Sequence, residues 1–88
     1  MRISHILYSS HFLRAMRALP KDLSHIVSER ENIFRLDCFD PRLKTDKLKG
    51  RLHGYWSFSL TPAERVLFEF IDDDSVGFID VGDHSIYQ

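Results

Sequence analysis

Hydrophobic positions recur every three to four residues through the first half of the chain and every second residue through much of the second half. Ile3 to Tyr8 is a short, partly β-branched run and predicts a strand. Ser9 or Ser10 can cap a helix beginning near His11, on which Phe12, Met16 and Leu19 share one face. Pro20 ends that helix and suits the first turn of a second. There Leu23, Ile26, Val27, Arg30 and Phe34 form one buried stripe, with Glu29 and Glu31 facing water. Two helices joined at a proline make a hairpin.

From Trp56 the pattern alternates. Trp56, Phe58 and Leu60 interleave with Ser57 and Ser59, which predicts a half-buried strand with its aromatics in the core. Thr61 to Glu64 is a turn, and Arg65 to Ile71 is a strand with Val66, Phe68 and Phe70 on one side. Asp72 to Ser75 turns into a last strand, Val76 to Val81. Gly50 and Gly54 bracket Arg51 to His53, so the basic strand before Trp56 either bulges or approaches another backbone closely. The order β-α-α-β-β-β predicts an α+β fold: an N-terminal strand and a helical hairpin packed on an antiparallel β-sheet. Whether the first strand lies at the edge or the centre of that sheet is open.

Length sets the scale: 88 residues form one domain, 1–88. The single cysteine, Cys38, excludes an internal disulfide and a cysteine-based zinc site and favours a reducing compartment. The apolar runs are too short to span a membrane and the first residues lack the apolar stretch of a signal peptide, so a cytoplasmic protein is expected. Asp72, Asp73 and Asp74 on a tight turn diverge, so no metal is assigned to them. His5, His11, His25 and His53 have no ligand-like spacing.

Charge changes the picture more. The formal net charge is −1, yet residues 1–53 hold eleven Lys/Arg against six Asp/Glu, and residues 54–88 hold one against seven. Arg42, Lys44, Lys47, Lys49 and Arg51 crowd one segment, opposed within it only by Asp46. Such a stripe either binds phosphates or is a solvated loop that answers the acidic half of the molecule. Lys47, Lys49 and Arg51 alternate, so on a strand they would form a rail along one face.

Four segments together resemble the RelE/ParE superfamily of bacterial toxins, on the mRNA-cutting side. They are YSSHFLRAMRALP (8–20), LKTDKLKGRLHGYWSFSL (43–60), ERVLFEFIDDDSVGFIDVG (64–82) and DHSIY (83–87). The combination is a Leu-Pro break after the first helix, a basic LKG segment, a WSF strand, an Arg-led strand and a Gly-x-His-x-x-Tyr end. The resemblance implies a small toxin that cleaves translated mRNA in the ribosomal A site and is held in check by a cognate antitoxin protein, with which it forms a hetero-oligomer. It implies no cofactor and no metal.

Metal-free RNA cleavage uses the ribose 2′-OH as nucleophile. It requires a base, a fixed cation and an acid. Arg65, the one basic residue after position 53, matches the Arg that opens the family's third strand; a guanidinium there clamps phosphate oxygens with two parallel donors. Otherwise it is a surface partner for Glu64, Glu69 or Asp80. His84 matches a C-terminal His of several branches, in the role of general acid or base. Tyr87 comes three residues later; its ring either stacks on a base or plugs the core. Asp46 stands where many relatives have His, and it either accepts the 2′-OH proton or orients Lys47 or Lys49.

Two other functions share this scaffold: a ParE-type toxin that inhibits DNA gyrase, and an inactive module that only binds an antitoxin. The terminal His-x-x-Tyr counts against the first; the overall charge of −1 feeds the second.

Overall fold

The computed structural model describes residues 1–87. The first strand, β1 (His5–Tyr8), runs into Ser9, whose hydroxyl accepts the Phe12 N–H at 2.9 Å and starts helix α1 (Ser10–Ala18). The same hydroxyl donates to the carbonyl of Ile79 at 3.0 Å, so one side chain caps a helix and pins it to the sheet. Ser9→Ala is expected to lower stability by about 1–2 kcal/mol, read from the midpoint of denaturant unfolding; a shift below a few tenths would show the cap to be idle. Leu19 ends α1, and Pro20, fixed at φ −57°, precedes α2 (Lys21–Leu36).

After α2 come a 3₁₀ turn (Pro41–Leu43), a two-residue strand β2 (Asp46–Lys47) and a second 3₁₀ turn (Gly50–Leu52). The alternating half supplies β3 (Trp56–Ser59), β4 (Arg65–Phe70) and β5 (Ser75–Gly82), with a last 3₁₀ turn beyond them (His84–Tyr87). The sheet order is β1-β5-β4-β3-β2, antiparallel throughout except that β1 lies parallel to β5 at the edge. That settles the open place of the first strand. The parallel pair follows from the course of the chain: the helical hairpin carries it to β2 at the far edge, and three antiparallel reversals then bring it back to β5 beside β1.

The core lies between the helices and one face of the sheet. Phe34 of α2 is fully buried, with ring centres 5.0 Å from Phe58, 5.0 Å from Phe68 and 5.4 Å from Phe78. Trp56 is half-buried between Phe39 and Phe70, in keeping with its assignment to the core. The helical stripe of α2 buries Val27 and Phe34 as its period requires. Glu31 differs from expectation: it is half-buried and accepts the Tyr8 hydroxyl at 2.8 Å, because β1 runs beside α2. The first strand is also shorter than Ile3–Tyr8. Ile3 is buried, but its N–H goes to Arg35 of α2 instead of to a neighbouring strand.

β4 and β5 shift register between Leu67 and Phe68, which pair with Asp80 and Phe78 and leave Ile79 as an extra residue. Such a bulge bends its strand and re-aims the residues beyond it. Here it delivers Gly82 opposite Arg65.

Candidate functional site

Because Val66 and Phe68 point at the helices, Arg65 and Leu67 occupy the opposite, outer face of the sheet, as does Ser57 beside Phe58. Arg65 Nε donates to Ser57 Oγ at 3.1 Å, and Nη2 donates to the Lys44 carbonyl at 3.2 Å. Both acceptors are neutral. They fix the guanidinium without cancelling its charge, and Arg65 forms no ion pair among the described residues. This departs from the surface pairing with Glu64, Glu69 or Asp80. Lys44 is left-handed (φ 50°), a conformation that costs a lysine of order 1 kcal/mol; a hydrogen bond from its N–H to the Pro41 carbonyl and the one from Arg65 to its own carbonyl hold it there.

Asp46 lies opposite Ser57 in the β2–β3 ladder, so its side chain shares the outer face with Ser57 and Arg65. It is exposed, and its carboxylate has no ion-pair partner among the described residues. On the other side of Arg65, Gly82 leads into the terminal turn. A Cβ at Gly82 would sit 3.0 Å from the Ile86 Cγ2, so the 3₁₀ turn packs back onto this point and a larger residue would have to push Ile86 aside by a few tenths of an ångström. Asp83 accepts the Ser85 N–H at 2.9 Å, which helps hold its carboxyl below the usual range. His84 is exposed, with its ring edge-on to Tyr87 at 6.0 Å between centres. Tyr87 is half-buried, and its carbonyl accepts Arg51 Nη2 at 2.8 Å. That bond joins the β2–β3 loop to the terminal turn. The two segments close over the outer face, where Ser57 is 1% and Leu67 5% exposed.

Arg65, Asp46, Arg51 and the His84–Tyr87 turn therefore gather on one side of the sheet, linked through Ser57, Lys44 and Gly82. The basic stripe does not gather as a unit. The expected rail of Lys47, Lys49 and Arg51 is absent, because the strand stops after two residues and Gly50–Leu52 coils into a 3₁₀ turn. Lys47 lies opposite Trp56, on the other face from Arg65, with Nζ 6.0 Å from the indole ring centre. Lys49 is exposed at the entry to the turn. Arg42 closes its fork on Asp40, with Nε at 3.0 Å and Nη2 at 2.9 Å, and this holds the Asp40 carboxyl down at about 2. Its charge is matched by Asp40, although the side chain remains 66% exposed. Cations here run across the strands, from Lys44 through Arg65 toward the terminal turn, instead of along one strand.

Two parts of this arrangement are not apparent from the sequence: Ser57 as the hydroxyl that seats Arg65, and the Lys44 carbonyl. Ser57 had a signal, since serines alternating with core aromatics on the neighbouring strand share the face of Arg65. Among the described residues, no three His, Cys, Asp or Glu side chains are grouped as a metal site, and no helix is long and apolar enough to cross a membrane.

The architecture is that of the RelE/ParE-like toxins. The YoeB/ParE toxin from Agrobacterium tumefaciens superposes with a TM-score of 0.78 at 15% identity, over 92% of this chain and 99% of that one. YafQ from Escherichia coli gives 0.78 at 16%, over 99% and 98%. The RelBE2 toxin–antitoxin complex from Mycobacterium tuberculosis gives 0.71 at 19%, over 97% and 95%. No protein-family model and no curated protein sequence matches the chain.

Proposed function

We propose that this chain is the toxin of a bacterial toxin–antitoxin pair, and that it is an endoribonuclease cutting mRNA in the ribosomal A site. The observation that carries this reading is Arg65: a half-buried guanidinium seated by two neutral acceptors on the outer sheet face, flanked by Asp46 and by the turn that bears His84 and Tyr87. In this reading Asp46 takes the proton from a ribose 2′-OH, whose oxygen attacks the adjacent phosphorus. Arg65 holds the non-bridging oxygens as charge builds on them. His84 gives a proton to the departing 5′-oxygen, leaving a 2′,3′-cyclic phosphate. Tyr87 stacks on a base, and Lys44 and Arg51 draw the strand in. The toxin–antitoxin neighbour supports an antitoxin as the protein partner.

Expression of the chain in bacteria is expected to stop growth, with mRNA cut only where it is translated and cyclic phosphate at the new 3′ ends. Tyr87→Ala is expected to weaken cutting about tenfold, in line with loss of one stacked base. Growth arrest with intact mRNA and broken DNA would instead place the chain with gyrase inhibitors. No arrest at all, with tight antitoxin binding, would make it a binding module.

A further inference from the structure

Arg30 is a charge that the helical pattern leaves without a purpose. It lies half-buried on the inward stripe of α2 with Val27 and Phe34, and no carboxylate pairs with it among the described residues. Its Nη1 donates to the Arg42 carbonyl at 3.2 Å, a bond that orients the guanidinium and leaves its charge intact. Arg30, Lys44, Ser59 and Thr61 line a cleft of about 140 Å³ between α2, the Pro41–Leu43 turn and the β3–β4 turn. Arg42 also borders it, but with its fork closed on Asp40. Two basic residues with no ion-pair partner among the described residues thus border one small cleft, an arrangement that an anion relieves.

The cleft lies at the end of β3 and β4 on the side of α2, and the loop through Lys44 runs between it and Arg65 on the outer face. Ser59 pairs directly with Arg65 in the β3–β4 ladder, and the carbonyl of Lys44 is one of the acceptors that seat the Arg65 guanidinium. A single free anion fills only one of these two positions, whereas a strand with a phosphate on every nucleotide fills both at once. We infer that the cleft is a second phosphate site, in which Arg30 and Lys44 take another phosphodiester of the strand clamped by Arg65. This rests on the RNA-cutting reading for its ligand but not for its charge.

Fluorescence anisotropy with a short 2′-O-methyl oligonucleotide, which cannot be cut through the 2′-oxygen, tests the inference across a salt series. Arg30→Gln is expected to weaken binding about tenfold and to flatten the log-affinity against log-salt slope by about 0.7, the value of one single-strand phosphate. Arg30→Lys is expected to restore the slope. Lys44→Gln, an exposed change, gives the same loss and serves where Arg30→Gln does not fold by circular dichroism. Inorganic phosphate is expected to compete only at far higher concentration than the strand. Unchanged affinity and slope in both Gln variants, or no strand binding by the unaltered chain, overturns the inference. So does displacement of the strand by polyglutamate at equal charge concentration, which marks a carboxylate-binding protein surface. Should the chain bind the strand through Arg30 yet leave translated mRNA whole, the phosphate site stands and the nuclease reading falls.

Discussion

Arg65→Ala is expected to slow cleavage of translated mRNA by about 10²–10³-fold, the usual cost of removing one donor that faces developing charge. The guanidinium is placed in advance by Ser57 Oγ and the Lys44 carbonyl, so little rearrangement is needed when charge forms on the phosphate. Arg65→Lys is expected to recover little of the rate, because an ammonium cannot hold Ser57, Lys44 and two phosphate oxygens with one planar fork. Single-turnover cutting in a reconstituted translation mixture reads both. His84→Ala, assayed alongside, removes a proton-transfer group and is expected to cost about 10²–10⁴-fold. The double variant tells whether they act in one step: an effect near that of the worse single variant marks a shared centre. Full activity in Arg65→Ala would remove the guanidinium from the chemistry altogether. Melting the variant first separates this from unfolding, and a half-buried arginine bonded only to neutral acceptors is not expected to carry the fold.

The largest stability loss is expected at Phe34→Ala. The ring is completely buried and meets Phe58, Phe68 and Phe78, one aromatic from each of the three central strands. Truncation removes the contact that attaches α2 to the sheet and leaves a cavity that three rigid rings cannot close. The cost is about 3–5 kcal/mol, set against about 5–15 kcal/mol for a whole domain. For a chain of this size that is a fall of roughly 12–40 °C in melting temperature, measured by circular dichroism. Phe34→Leu fills more of the space and is expected to lose less. A drop of only a few degrees for Phe34→Ala would mean that α2 is held by something other than this cluster.

The helices, the three longer strands and the fold class were legible because each rests on a local period: Ser9 as cap, Pro20 as break, and Trp56, Phe58, Val66 and Phe68 alternating into one core. The basic segment was misread because nothing local distinguishes a strand from a two-residue pairing that gives way to a 3₁₀ turn; Gly50 was the hint, and the alternation of lysines outweighed it. The Arg42 fork on Asp40 was within reach of the sequence, since the two stand only two residues apart. The seat of Arg65 was hidden for a different reason. Ser57 and Lys44 reach it through the register of neighbouring strands and the course of the loop before β2, which no period encodes. Arg30 was visible as a charge on a greasy stripe and was read as part of that stripe.

The parallel pairing of β1 with β5 has a consequence for how the molecule comes into being. Ser9 and Ile79, which cross-link this junction, are separated by 70 positions, so the sheet's edge closes only after nearly all the residues described have been synthesised. During translation the helical hairpin emerges with its apolar stripe bare and its leading strand without a neighbour. Closing so long a loop makes this a late and slow step of folding. The terminal turn leaves the exit tunnel after β5, so the residues grouped around Arg65 meet only then. The ribosome that makes this chain keeps the parts of that cluster separate until its last described turn has emerged.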